Sequence, residues 1–212
     1  MKTALVLAIA TLAAPVGEYS STITHPYLPL SSVTRAEFER AGQKFLLVRR
    51  VEEKTEKVAG VECLVLVEEE SVDGKLKEVA RNYFAQKDGV VYYFGEDVDN
   101  YKGGKVDNHH GSWRVGKETQ EPFVYMPAEP KKGDTFKPED IKGVAEDVAD
   151  VLATGETVEV NGTKYADVLK IKFTIVIDKE VKTRYYAKGV GLIREDEGGT
   201  LLDVKKLVRK GS

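Results

Sequence analysis

Short runs of alternating apolar and polar residues follow one another along most of this chain, and turn-forming dipeptides separate them. The first runs are residues 44–51, 61–69, 76–86 and 90–96. Asp73-Gly74 and Asn161-Gly162 each stand between two runs, and both positions of such a pair tolerate the positive φ of a two-residue hairpin turn. The alternation predicts about ten antiparallel strands, which must bend or close to protect their edges.

The fold predicted from this pattern is mainly β, with a strongly bent antiparallel meander that forms a half-open or a closed barrel. Only residues 143–153, GVAEDVADVLA, have a pattern that fits a turn or two of helix. We therefore expect little helix. Cys63 is the only cysteine and shares one face of its run with Val61, Val65 and Val67, so it is expected to be buried and unreactive.

Composition restricts the domain organisation and the partners. The chain has 212 residues, of which 42% are hydrophobic and 32% charged, and these values are typical of one domain with a substantial core. The formal net charge is -3, with both signs interspersed. This balance disfavours nucleic acid as a partner, because nucleic-acid-binding domains present a strongly basic face.

The N-terminus has the pattern of a secretory signal peptide. Lys2 precedes an apolar run from Ala4 to Ala14 that ends in small residues. The run is too short for a stable membrane span, which needs about 20 apolar residues. We expect a signal peptide at residues 1–14, a linker and first turn at 15–34, and one β domain at 35–210. The protein is therefore predicted to be exported to the cell envelope or beyond.

The two halves of the domain share residues at a constant offset of 102 positions. Gly60 corresponds to Gly162, Tyr83 to Tyr185, and the Lys-Glu-Val of residues 77–79 to that of residues 179–181. We predict that residues 58–87 and 160–189 form equivalent strand-hairpin-strand units. Repetition of this kind is typical of architecture, because a single active site does not need two copies.

Six sequence words occur in order between about His25 and Glu195. They are HPYLPL, YYFGEDV, KVDNHHGSWRVG, MPAEPKKGDTF, GVAEDVADV and YYAKGVGLIRE. Together they resemble a family of uncharacterised exported bacterial proteins that carry YFGED, GSWxG, MPAxPxxGD, GxAED and YYAxGVGL. The resemblance implies export and a fold similar to the open-barrel lipoprotein carriers of the bacterial envelope, but no reaction.

The chain departs from that family at two places. Many relatives continue GSWxG with a glycine-rich stretch, where this chain has KETQEPFVYMP. The pair His109-His110 is also unusual for the family. Because neighbours on a strand point to opposite faces, the two histidines are not expected to bind one metal, and a surface loop is the favoured interpretation.

Two acidic words flank the middle of the chain. Glu96 and Asp97 end an aromatic run, whereas Glu146 and Asp147 lie near the start of residues 143–153. Convergence of the four carboxylates would create a hard-cation site, above all for Ca²⁺. Solvated turn carboxylates, or a hydrolase using two of them as general acid and base, are the alternatives. We also expect the two words to lie close together, with either a cation or Arg114 as their partner.

Aromatic residues of the same region are candidates for ligand contact, namely Tyr93, Tyr101 and Trp113. Trp113 either anchors the core or stacks on a sugar-like ligand. The leading hypothesis is a non-enzymatic, exported β protein that binds an apolar or amphipathic small ligand, or an envelope component, in a concave sheet face. A carboxylate-based hydrolase and a cell-surface structural or interaction module are the alternatives. An apolar concave wall would favour binding, and two or more buried carboxylates there would favour catalysis or a metal.

Overall fold

The computed structural model describes residues 18–211, and the regular secondary structure within them consists of β-strands only. The predicted signal peptide at residues 1–14 lies outside the described residues. The strands are β1 (Val33–Arg40), β2 (Phe45–Val51), β3 (Glu56–Val58), β4 (Val61–Val72), β5 (Lys75–Lys87), β6 (Val90–Lys102), β7 (Lys105–Asn108), β8 (Trp113–Arg114), β9 (Phe123–Met126), β10 (Thr135–Ile141), β11 (Ala145–Val160), β12 (Thr163–Ile175), β13 (Glu180–Ala187), β14 (Gly191–Glu197) and β15 (Thr200–Arg209).

The strands form one antiparallel sheet in the order β10-β11-β12-β13-β14-β15-β1-β2-β4-β5-β6-β7. β3 pairs with β4, and β8 and β9 pair with β6. Within residues 18–211 no backbone ladder joins β10 to the other end of the sheet. β9 nevertheless packs beside β10, so the sheet curls until its two ends meet. The predicted bent antiparallel sheet is confirmed, in its half-open form.

Successive strands are antiparallel, so alternate turns lie at the same end of the sheet. One end, which we call the mouth, carries the turns at residues 41–44, 73–74, 103–104, 142–144, 176–179 and 198–199. The other end is covered by residues 18–32. Ser20 and Gln86 exchange two backbone hydrogen bonds there, of 2.9 and 2.8 Å. His25 Nε2 lies 3.0 Å from the carbonyl oxygen of Pro127.

An aromatic cluster fills the curled sheet beneath the mouth. Tyr93 stacks on Phe84 with ring centroids 4.7 Å apart, and Trp113 meets Tyr93 edge-on at 5.1 Å. Cys63 packs on the other face of β4, is fully buried, and has its pKa raised by burial to about 12. The predicted burial of Cys63 is therefore confirmed.

The segment 143–153 is not helical, and this part of the prediction was wrong. It forms a turn followed by the first half of β11. Ala149 and Val151 are buried while Val148, Asp150 and Leu152 are more exposed, which is the period of two expected for a strand. The β-branched valines and the ladder with β12 favour the extended backbone over a helical turn.

The two halves agree in some local geometry and differ in their hairpins. Gly60 and Gly162 each occupy the second position of a turn in which both residues have positive φ. Bulges fall between Tyr83 and Phe84 in one half and between Tyr185 and Tyr186 in the other. The hairpin after β4 has two turn residues, whereas the hairpin after β12 has four. The proposed duplication of residues 58–87 and 160–189 stays a prediction.

Candidate functional site

A wide acidic cleft opens at the mouth of the curled sheet. This outer cleft has a volume of about 820 Å³. Among the described residues, its lining contains eight carboxylates and only one Lys or Arg, which is Lys182. The carboxylates are those of Glu70, Glu78, Glu96, Glu139, Glu146, Asp147, Asp178 and Glu180. Apolar side chains such as Val98, Ile175 and Ile177 complete the wall, which makes the cleft amphipathic.

Four of these carboxylates form two directly opposed pairs. Glu70 on β4 is the cross-strand partner of Glu78 on β5, and Glu139 on β10 is the partner of Asp147 on β11. Directly opposed side chains have Cβ atoms about 4.5–5.5 Å apart, and like charges in that position destabilise a sheet. Two such pairs in one cleft therefore oppose folding unless protons or a positively charged group reduce the repulsion.

The local backbone creates one of these pairs. With a regular ladder, the Asp73-Gly74 turn would place Glu70 opposite Lys77, which is a favourable combination. A bulge between Glu70 and Ser71 shifts the register by one residue and brings Glu78 opposite Glu70 instead. A one-residue shift moves a side chain to the other face of the sheet, so the bulge places Glu78 in the cleft.

The cleft holds its carboxylates at unusual pKa values. Burial, followed by repulsion from Asp147, raises the pKa of Glu139 to about 8. Burial also raises the pKa of Asp147 to about 6, and burial together with Glu78 raises that of Glu70 to about 7. Burial raises the pKa of Glu96 well above its usual value. Repulsion from nearby carboxylates raises it further, first from Glu139 and also from Glu78 and Asp147, which belong to the opposed pairs. The cleft therefore retains protons near neutral pH.

Trp113 connects the two ends of the sheet beneath the cleft. Its indole Nε1–H donates a hydrogen bond of 2.6 Å to Glu139 Oε1. β8, which carries Trp113, pairs with β6, whereas Glu139 lies on the edge strand β10. This bond thus spans the seam that no backbone ladder closes within the described part of the chain, and it fixes the orientation of one member of the Glu139–Asp147 pair.

A smaller inner chamber of about 150 Å³ continues the cleft into the sheet. It shares Glu70, Glu78, Glu96 and Lys182 with the outer cleft, and it adds Arg49 and Arg184. Lys182 Nζ lies 3.1 Å from Glu197 and 3.5 Å from Glu180, so the charge of the one outer-cleft lysine is already balanced. The outer cleft keeps its acidic character.

The structure brings together three of the four predicted cation ligands. Glu96, Glu146 and Asp147 line the outer cleft, whereas Asp97 points to the opposite face of β6. Adjacent residues of a strand face opposite sides, so Glu96 and Asp97 do not share a site. Burial opposes ionisation of Asp97, but hydrogen bonds from Arg114 and Tyr83 lower its pKa overall. Of the four predicted cation ligands, Arg114 therefore pairs only with Asp97.

The predicted aromatic ligand contacts do not converge. Tyr93 and Trp113 are 4% and 1% exposed, and both belong to the cluster beneath the cleft. The Tyr93 hydroxyl donates a hydrogen bond to Asn82 Oδ1. Tyr101 is half-buried near the end of β6, and none of the three residues lines either cavity. Trp113 has the core position that was one of its two interpretations.

The histidines lie at the rim. His109 and His110 both line the outer cleft, with His109 Nδ1 3.0 Å from Asp99 Oδ1 and 2.9 Å from the Val98 carbonyl oxygen. Within residues 18–211 no group of three or more His, Cys, Asp or Glu side chains is arranged to hold a metal ion. No helix of this described part is long and apolar enough to cross a membrane.

Glu70, Glu78 and Glu139 line the cleft but were not among the residues predicted from the sequence. One available signal was their period-two position: Glu68 and Glu70 continue the face of Leu64 and Leu66, which points into the curled sheet. Acidic residues on an otherwise apolar face indicate a polar cavity rather than a filled core. The bulge that opposes Glu70 to Glu78 has no such signal in the sequence.

The fold and the cleft define a class of protein, namely a half-open antiparallel β sheet with an acidic cavity at one end. No family model matches the chain, and the searches of curated proteins and of solved structures gave no match either. The resemblance to exported bacterial proteins through the six sequence words stays a prediction.

Proposed function

We propose that this protein binds a small amphipathic molecule that carries positive charge, in the outer cleft. One observation supports the proposal: two pairs of directly opposed carboxylates, Glu70–Glu78 and Glu139–Asp147, lie on the wall of a single cavity. Export to the cell envelope is part of the same proposal and rests on the N-terminal pattern of Lys2 and residues 4–14.

Electrostatics favours a cationic ligand over a neutral one. Like charges held opposite each other repel, and a positively charged group between them replaces repulsion with attraction. A cleft lined by one sign of charge also concentrates counter-ions and accelerates their association. The apolar Val98, Ile175 and Ile177 beside the carboxylates suit the hydrocarbon part of an amine. The ligand is therefore expected to be an aliphatic amine or polyamine rather than a plain hydrocarbon.

Calorimetric titration of the full chain with an alkane diamine tests this proposal, with a dicarboxylate of equal length as the opposite-charge probe. We expect the diamine to bind, the dicarboxylate to be excluded, and the affinity to fall as salt rises, because screening weakens charge attraction. The variants Glu78→Gln and Asp147→Asn should weaken diamine binding. Glu62→Gln is the matched control, since Glu62 is an exposed carboxylate that contacts Lys57 outside the cleft. Equal binding of diamine and dicarboxylate would contradict the proposal.

A carboxylate-based hydrolase is the second candidate, and the Glu139–Asp147 pair favours it. Their pKa values of about 8 and about 6 leave one group protonated and the other ionised near neutral pH. A protonated acid beside an ionised base is the arrangement that acid–base hydrolysis needs.

Assays with chromogenic glycosides over a range of pH separate the two candidates. A hydrolase should give a bell-shaped rate profile with limbs near the two pKa values, and Glu139→Gln and Asp147→Asn should each remove the activity. Turnover that persists in both variants would exclude this pair as the catalytic groups. The binding protein, in contrast, should take up the diamine without hydrolysing any glycoside.

A further inference from the structure

The inner chamber differs in charge from the cleft above it. Among the described residues its lining combines three cationic side chains, Arg49, Lys182 and Arg184, with five carboxyl groups, whereas the outer cleft has one cationic side chain and eight carboxyl groups. The five carboxyl groups belong to Glu68, Glu70, Glu78, Glu96 and Glu195. Carboxyl groups therefore line both cavities, whereas guanidinium groups line only the inner one among the described residues. This difference suits a molecule whose two ends carry opposite charges.

Arg49 has hydrogen-bonding capacity that the described residues leave unused. Its side chain is 8% exposed, and its Nε lies 2.5 Å from Glu68 Oε1 as an ion pair. The alignment is not that of a hydrogen bond, and Arg49 Nε is buried without a hydrogen-bond partner among residues 18–211. A guanidinium has five N–H donors, and buried donors without acceptors cost free energy. Because Arg49 lines the chamber, an acceptor group there can contact its guanidinium group and compete with Glu68 for it.

The neighbouring charges leave room for an anion. Arg184 Nε donates to Glu195 Oε2 at 2.6 Å, and the guanidinium carbon of Arg184 sits 4.7 Å from the centroid of the Phe173 ring. Arg184 and Lys182 lower the pKa of Glu195 although burial opposes this, so Glu195 stays charged and balances them. The pKa of Glu96, which belongs to neither opposed pair, is raised well above its usual value, first by burial. A protonated carboxyl does not repel an anion, and it can donate a hydrogen bond to it.

We propose that the inner chamber binds an anionic oxygen group, a carboxylate or a phosphate, of the same ligand whose positive groups occupy the outer cleft. Arg49 is the main contact for that group, with Lys182 and Arg184 beside it. This inference rests on the proposed function and specifies its ligand as a chain with an amine at one end and an anion at the other. Planar guanidinium groups suit both anions, because they can donate two parallel hydrogen bonds to either.

Titration calorimetry of the full chain with three probes of equal chain length tests the proposal. The probes are an alkane diamine, an ω-amino carboxylate and an ω-aminoalkyl phosphate. We expect at least one zwitterion to bind more tightly than the diamine by roughly 10-fold or more, the usual range for hydrogen bonds to charged groups. The better of the two zwitterions identifies the anion.

Two double variants provide the comparison. Arg49→Met with Glu68→Gln removes the inner pair without leaving an unpaired carboxylate, and Arg50→Met with Glu69→Gln removes the neighbouring ion pair on the opposite face of the same two strands. The inner variant should abolish the preference for the zwitterion while diamine binding persists, and the outer variant should change neither. Arg49→Lys, which keeps the charge but not the guanidinium fork, should weaken the zwitterion and covers the case in which the double variant does not fold.

The outcomes separate this inference from the proposed function. If the diamine binds but no zwitterion binds more tightly, or if the preference survives loss of Arg49, the inference is wrong and the proposed function stands. If zwitterions bind through Arg49 while the diamine does not bind, the anion site of the inner chamber stands and amine binding in the outer cleft is wrong. Failure of all three probes to bind contradicts both.

Discussion

Trp113 donates a 2.6 Å hydrogen bond from its indole nitrogen to Glu139, which itself lies directly opposite Asp147 on the next strand. One contact therefore joins the unclosed seam of the sheet to the acidic wall of the cleft. The indole of Trp113 therefore contacts a carboxyl group, that of Glu139, whose pKa is raised to about 8. The stability of the fold and the protonation of the cleft are thus coupled.

The first prediction concerns this coupling. The pKa values of Glu139, Glu70 and Asp147 are raised to about 8, 7 and 6, against ordinary values of 4.5, 4.5 and 3.8. Between about pH 4 and pH 8 these three groups bind more protons in the folded state than in the unfolded state. The stability that they contribute is therefore fully present below this window and is lost as pH rises through it. We expect a loss of roughly 2–4 kcal/mol between about pH 5 and pH 8, measured by urea unfolding.

Two variants test whether the cleft carboxylates cause this pH dependence of stability. Glu139→Gln keeps an acceptor for Trp113 and should make the pH dependence distinctly shallower. Glu62→Gln, outside the cleft, should leave it unchanged. Asp97 and Glu195 have lowered pKa values and therefore act in the acidic range below this window. Constant stability from about pH 5 to pH 8 in the wild-type protein would show that the cleft carboxylates are not held protonated.

Gly95, which directly precedes Glu96 and Asp97, is predicted to be irreplaceable. Its φ is +148°, and a Cβ there would lie 2.6 Å from the Trp113 carbonyl oxygen and 2.9 Å from Arg114 Cα, both of them backbone atoms. Gly95→Ala should cost roughly 3 kcal/mol or more, because both the conformation and the close approach of β8 are lost. Gly162→Ala is the control: its φ is +77° but no atom lies within 4 Å. It should cost about 1 kcal/mol. Equal unfolding midpoints for the two variants would contradict the steric argument.

These glycines illustrate how far the sequence predicts the structure. Asp73-Gly74 and Asn161-Gly162 predict hairpins from local chemistry, and alternation places Cys63 in the core, because both depend on neighbours within a few residues. The cleft depends on register. The bulge beside Glu70 and the pairing of Glu139 with Asp147 arise from contacts between strands, and no local pattern encodes them. Asp97 is the member of the four-residue acidic set that does not line the cleft, because it follows Glu96 within β6 and points to the other face of that strand.

Cys63 should resist modification in the folded protein. Its thiol is fully buried and burial raises its pKa to about 12, so neither access nor ionisation favours reaction. We expect labelling by a thiol reagent to be at least about 100-fold slower in native buffer than in denaturant, measured by absorbance of the released thiolate. Rapid stoichiometric labelling of the native protein would place the thiol on an accessible surface.

Arg114 should stabilise the face of the sheet opposite the cleft. It donates to Asp97 Oδ1 at 2.9 Å and to Glu56 Oε1 at 2.6 Å, and its guanidinium carbon lies 4.2 Å from the centroid of the Tyr83 ring. Arg114→Ala should lower the free energy of unfolding by about 1–3 kcal/mol, because Asp97 and Tyr83 lose a shared partner. Arg35→Ala, which removes a more exposed ion pair with Glu37, should cost less than about 1 kcal/mol. Equal effects of the two variants on chemical denaturation would remove the special role of Arg114.

The last prediction concerns Ca²⁺ binding by the three predicted cation ligands that line the outer cleft, Glu96, Glu146 and Asp147. A divalent cation should bind the ionised cleft and not the protonated one, because a proton and a cation compete for the same oxygens. At about pH 8, millimolar Ca²⁺ should raise the melting temperature by about 2–4 °C, and a chelator should reverse the rise. At about pH 5 the effect should vanish as the carboxyls take up protons. Asp147→Asn should abolish the shift, whereas Asp97→Asn, on the opposite face, should retain it. A calcium shift that persists in Asp147→Asn would move the site away from this cleft.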